Sequence, residues 1–125
     1  MDVEYTDAVR TVITSLAAGG DDFAAAGAIS LALRAWRQLG GTDPVWDQVG
    51  LDLLEVRDRL YPDQDVTVAA ADPAADPQTR AAVAELLEQL ALHHQQLAGG
   101  DAPLAERLAH DAGVQQLRDA AAALA

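Results

Sequence analysis

The punctuation of this chain constrains its fold more than any other feature. Gly19-Gly20, Gly40-Gly41 and Gly99-Gly100 each close a Leu- or Ala-rich run, and each is followed by a helix-start signal: Asp21-Asp22, Thr42-Asp43-Pro44 and Asp101-Ala102-Pro103. Glycine adopts the left-handed conformation that ends a helix without a Cβ penalty. An acidic N-cap accepts otherwise orphaned N–H groups, and proline in the first turn loses no hydrogen bond. Asp76-Pro77 repeats the device, and Pro62 ends the run before it. Links this short join neighbouring, largely antiparallel helices. The pattern therefore predicts one all-α domain over 1–125, a four- or five-helix up-and-down bundle.

Apolar spacing supports each helix. In the first segment, about residues 3–18, Tyr5, Val9, Val12 and Leu16 form one stripe; in the third, about 44–61, Trp46, Val49, Leu53, Val56 and Leu60 do so. The fourth, about 77–98, aligns Val83, Leu86, Leu87, Leu90 and Leu97, with His93 and His94 at the two edges of that face. The second segment, about 22–39, carries two stripes: Ala26, Ile29, Leu33 and Trp36, and on another side Ala24, Ala28, Leu31, Ala35 and Leu39. A helix so widely apolar is either central in the bundle or keeps one face for another chain. In the last segment Leu104 and Leu108 point one way and Val114, Leu117, Ala121 and Leu124 nearly the opposite way, which predicts a kinked C-terminal helix, with the kink or break near His110 to Gly113. Residues 62–78 lack helical periodicity and form the long acidic Ala/Asp/Pro loop, with Val66-Thr67-Val68 expected to lie extended over the bundle.

Composition closes many chemistries. Twenty acidic residues oppose eight basic ones, all arginine, for a formal charge of −12, so nucleic acid and anionic membranes are not expected partners. Without cysteine there is no disulfide, thiolate zinc site or cysteine nucleophile; without lysine there is no Walker A loop or Schiff base. Asp2 and Glu4 stand where a signal peptide carries positive charge, and no apolar run approaches about 18 residues, so the expected location is cytoplasmic. The Ala-, Asp- and Arg-rich, Lys-free composition is of the kind found in GC-rich bacteria.

Three histidines are the first candidates for a site. In an antiparallel hairpin turning at Gly99-Gly100, His94 falls level with Glu106 or Arg107 and His110 near Leu90 or Ala91, with Glu106 and His110 one turn apart on one side of their helix. His93, His94, Glu106 and His110 therefore edge a candidate pocket or cation site, although no ligand quartet such as H-E-x-x-H is present, and no metal or cofactor is expected. Asp63-x-Asp65-x-Thr67 begins like a calcium loop and then fails, with Val68 where the turn needs glycine and Ala74 where the bidentate glutamate belongs. Ser15 and Ser30 lie in no nucleophile elbow. Asp21/Asp22 read as helix-start residues, and Glu85/Glu88 as a wet helix face.

The stretch W-D-Q-V-G-L-D-L-L-E-V-R-D-R-L, Trp46 to Leu60, resembles the part of acyl carrier domains in which G-x-D-S-L opens a helix ending in E-L-R-x-R-L, and Val66 to Leu87 loosely resembles the next stretch of those domains. The resemblance covers about a third of the chain. It implies a four-helix carrier whose serine bears a phosphopantetheine arm. Here that position is Leu53, and Leu54 and Glu55 offer no substitute hydroxyl, so no acyl group is carried.

The sequence is thus expected to encode a non-catalytic interaction or accessory module, docking a protein partner or a second copy of itself through the Ala24/Ala28/Leu31/Ala35/Leu39 face. Arg34 and Arg37 beside Trp36 offer a docking point for carboxylates. One alternative is a small helical enzyme or ligand or metal binder at the histidine pocket. A second is an acidic, antitoxin-like inhibitor of a basic partner.

Overall fold

Each stop and start signal acts locally, and the helices follow them closely. The computed structural model describes residues 3–64 and 66–125, and among these the chain forms five α-helices and no strand: α1 Tyr5–Ala17, α2 Asp22–Leu39, α3 Pro44–Leu60, α4 Pro77–Ala98 and α5 Leu104–Leu124. Asp21, Asp43 and Asp76 each accept a backbone N–H in the first turn of α2, α3 and α4, at 3.0, 2.9 and 2.7 Å. Gly19 and Gly41 adopt φ of 86°, the left-handed turn that lets α1 and α2 end. The third glycine pair differs: Gly99 caps α4 at φ −86°, and α5 begins after Pro103 with no side-chain cap, so Asp101 is not the N-cap its position suggests.

α2 occupies the centre. Ala28, Leu31, Ala35 and Leu39 are buried and Ala24 half-buried, so the face expected to receive another chain is filled by the bundle's own helices. Leu31 is 1% exposed. Its carbonyl accepts a hydrogen bond from Tyr5 of α1, whose hydroxyl is pushed above its ordinary pKa by burial. The docking-face reading is corrected on this point, because a helix apolar on two sides has been enclosed on both.

The helices alternate in direction with one interruption. α3 begins beside the start of α4, where Asp43 meets Arg80, and ends beside the later turns of α4, where Tyr61 meets His94, so α3 and α4 run the same way. The connection 62–76 makes this possible by crossing the whole bundle: Val68 lies against Gly27, Asp72 pairs with Arg34 at 3.0 Å, and Ala71 N–H bonds to Val3 carbonyl at 2.7 Å. Val66 and Val68 are half-buried on the core, in a segment without regular strand structure.

α5 packs most extensively on α4 and also on α3, and it is continuous from Leu104 to Leu124, without the interruption expected near Gly113. Gly113 serves close packing instead: a Cβ there would come within 2.6 Å of Leu60 Cδ1. Leu104 and Leu108 simply remain exposed while Val114, Leu117, Ala121 and Leu124 turn inward. Leu53, at the position of the carrier serine, is fully buried, where no prosthetic arm would reach a partner.

Candidate functional site

Three buried or half-buried aromatic polar side chains gather at the end where α2 and α5 begin and α3 and α4 finish, whereas the buried Thr79 lies at the opposite end, in the first turn of α4. Tyr61 directly precedes Pro62, which disfavours helical geometry in the residue before it. The backbone leaves α3 at Tyr61 (φ −133°, ψ 46°) and the ring is buried. His94 occupies a position where a core leucine would fit, one turn after Leu90 and Ala91, and is 2% exposed. Across from it, α5 contributes the half-buried His110.

These three side chains form one hydrogen-bonded chain. The Tyr61 hydroxyl is bonded to His94 Nε2, and His94 Nδ1 lies 2.9 Å from His110 Nδ1. The two imidazoles stack with centroids 5.0 Å apart and 22° between planes, while Tyr61 meets His94 edge-on at 5.5 Å. Both His94 nitrogens are thereby satisfied, as a buried polar group requires. Burial, reinforced by His93 and His110, pushes the His94 pKa down to about 3, so its imidazole is neutral around pH 7. The Tyr61 hydroxyl is raised by burial and also stays neutral. His93 packs edge-on against His94 at 5.2 Å, and its pKa is lowered by burial, with Asp22 acting in the opposite direction. The His93 Nε2 is buried without a protein partner among the described residues.

Beside this chain lies a cavity of about 410 Å³. Tyr61, His94 and His110 line it with Asp22, Arg59, Gln64 and Glu106, and Leu60 and Leu97 supply apolar wall. Of the four residues that the sequence places at a pocket, His94, Glu106 and His110 do line one; His93 supports His94 from outside the lining. The pairing differs from the expected register, since His94 meets His110 rather than standing level with Glu106. Among the described residues no three His, Asp or Glu side chains come together to hold a metal ion. The volume suits a small organic molecule.

Tyr61, Asp22, Arg59 and Gln64 are not legible as site residues in the sequence. One signal is present for Tyr61: a phenol at the end of a buried stripe needs a polar partner, and the histidines are the available ones. Asp22 reads in sequence only as a helix-start residue, and it does open α2 directly behind the N-cap Asp21. Of the remaining candidates, Arg34 is held by Asp72 and Arg37 is exposed. Glu85, Glu88 and Ser15 are exposed and Ser30 is half-buried. Asp65 of the calcium-like run lies outside the described residues.

Compared with family models, curated proteins and solved structures, the chain has no match. The carrier-domain resemblance therefore has no relative to support it. No helix among the described residues is long and apolar enough to cross a membrane.

Proposed function

We propose that this protein is a non-catalytic binding module that takes a small polar organic molecule into the cavity between α3, α4 and α5. One observation carries the reading: Tyr61 at the end of α3, His94 of α4, and Glu106 and His110 of α5 line a single pocket of ligand size. A bundle needs no buried histidine for stability, because a leucine at position 94 would satisfy the same face without a polar group to accommodate. A cytoplasmic location belongs to the same proposal and rests on the cysteine-free composition.

The test is a ligand-observed NMR fragment screen followed by thermal shift, with Ala109→Phe as a cavity-filling variant. Hits should move the Tyr61, His94 and His110 resonances and raise Tm by mass action, and Ala109→Phe should lose them while keeping its own helicity. A screen without cavity hits on the folded protein would remove the proposal.

A second reading has an observation of its own. Leu104 and Leu108 lie one turn apart on α5 and are 62% and 59% exposed, so a protein partner or a second copy could dock there instead of on α2. Sedimentation of wild type against Leu104→Asp/Leu108→Asp, together with capture of partners on each, would detect it. Identical behaviour of the two would set it aside.

A further inference from the structure

The hydrogen-bonded chain of Tyr61, His94 and His110 restricts what the cavity can recognise. With each imidazole carrying one proton, the chain has two arrangements. In the first, Tyr61 O–H donates to His94 Nε2, His94 Nδ1–H donates to His110 Nδ1, and the remaining His110 proton sits on Nε2. In the second, His94 Nε2–H donates to the Tyr61 oxygen, His110 Nδ1–H donates to His94 Nδ1, and the Tyr61 O–H and the His110 Nε2 lone pair are left free. The proton count is the same in both: in the reversal Tyr61 passes its proton to His94 Nε2, His94 Nδ1 passes one to His110 Nδ1, His110 Nε2 releases one to the solvent or ligand beside it, and the Tyr61 oxygen takes one up from there.

Tyr61 and His110, the residues at the two ends of the chain, both line the same pocket. In the first arrangement the Tyr61 end offers a lone pair and the His110 end a donor; in the second the roles exchange. The cavity thus presents one donor and one acceptor at all times. A purely donating cation satisfies only one end of the chain, and so does a purely accepting anion. Asp22 and Glu106, lining the same space against the single guanidinium of Arg59, further oppose an anion. Arg59 is in addition engaged by Gln116 at 2.6 Å.

We propose that the ligand is a neutral molecule carrying a hydrogen-bond donor and acceptor together, an amide or lactam, and that its binding fixes the direction of the Tyr61–His94–His110 chain. This inference rests on the cavity being the binding site and names the chemistry that the site takes.

The probes are benzamide, N,N-dimethylbenzamide, which lacks the donor, and benzoate, which is an anionic acceptor. Each is titrated into wild type and Tyr61→Phe, with affinity read by calorimetry and the tautomers of His94 and His110 by ¹⁵N chemical shift. In wild type, benzamide should bind at least about tenfold more tightly than either comparison probe, the equivalent of one hydrogen bond. The ¹⁵N shifts of His94 and His110 should change together. Tyr61→Phe keeps the ring but cuts the chain at its first link, and should bring the amide and the dimethylamide to within about twofold of each other. Equal binding of amide and dimethylamide to wild type would overturn the inference, and so would a preference for benzoate or an uncoupled response of the two histidines. If no probe binds while the fragment screen still fills the cavity, this inference fails alone; if the screen is also empty, the reading beneath it fails as well.

Discussion

The two ends of the bundle solve the same problem in opposite ways. At one end, where α3 and α4 begin and α5 finishes, the polar groups are permanent charges at helix termini. Arg80 donates to the Leu124 and Ala123 carbonyls at 2.9 and 3.2 Å and to Asp43 at 3.2 Å, while Asp43 and Asp76 cap their own helices. A guanidinium at a helix C-terminus complements both the orphan carbonyls and the dipole. At the other end, α5 starts without a side-chain cap, and the buried polar groups are the Tyr61 phenol and the His94 imidazole, both neutral around pH 7 and hydrogen-bonded to one another, with His110 bonded to the second His94 nitrogen. Both ends carry a pocket, about 500 Å³ beside Asp43, Trp46 and Arg80 and about 410 Å³ beside Tyr61, His94 and His110. They differ in the groups behind it, fixed charges at the first and at the second a buried imidazole whose protonation makes its hold depend on pH.

The largest effect should come from the region shared by both ends. Leu31→Asp puts an unpaired carboxylate at a position 1% exposed and should cost more than about 4 kcal/mol, unfolding the chain in circular dichroism. A variant that stays folded would mean that α2 is not central, and the contrast between the ends would lose its frame.

Acid should separate the ends next. The His94 pKa is depressed in the folded state to about 3 against an ordinary value near 6.5, so the unfolded chain binds the proton that the folded one refuses. The stability this provides is present above about pH 6.5 and is lost as pH falls from there toward 3, by about 1.4 kcal/mol per pH unit. Asp22 of α2 and its N-cap Asp21 act on His93 in the opposite direction and temper the slope, whereas His93 and His110 add to it; Glu106 of α5 lines the same pocket. Urea melts between pH 7 and 4.5 should show the loss, amide exchange should place it first around Tyr61 and His94, and His94→Leu should flatten it. Uniform exchange along α4 would erase the distinction.

Arg80→Ala tests the opposite end. Removing a charged donor from two carbonyls and a carboxylate should lower stability by about 2 kcal/mol in denaturant melts, with faster exchange at the end of α5 and unchanged His94 and His110 shifts. The smallest effect belongs to the seam between α3 and α5, nearly midway between the ends. There the Asp52 pKa is raised by partial burial, then by Asp119 and Glu55. Asp119→Asn relieves like-charge repulsion and should raise stability by no more than about 0.5 kcal/mol, seen as a slight increase in the urea midpoint at pH 7 and none at pH 3.

Much of the helical layout is legible in the sequence because its causes are local. An aspartate accepting an N–H two or three residues ahead, a proline without an N–H and a glycine at positive φ act within a few residues of themselves, and Asp21, Asp43, Asp76, Gly19 and Gly41 do in the structure what their spacing implies. The failures are also instructive. Gly113 reads in sequence as the place of a kink or break, yet α5 runs unbroken through it and its missing Cβ makes room for Leu60; Leu31 reads as a docking residue, yet it lies under α2's own neighbours. In each case the deciding atom belongs to a residue far away in the chain. The histidines fall between these cases: their helices and approximate facing are readable, but not their partner Tyr61, because a phenol before a proline reveals nothing of the helix it will meet.

The sequence by itself therefore determined where the helices start and stop and that His94, Glu106 and His110 would lie near one another across the last hairpin. Tertiary structure decided that α2 would be enclosed, that the crossing of 62–76 would set α4 parallel to α3, and that Tyr61 would reach His94. Helix ends are settled by hydrogen bonds within one turn, whereas the choice of buried face and the meeting of Tyr61 with two imidazoles depend on packing among segments tens of residues apart, whose side chains only the assembled bundle brings into contact.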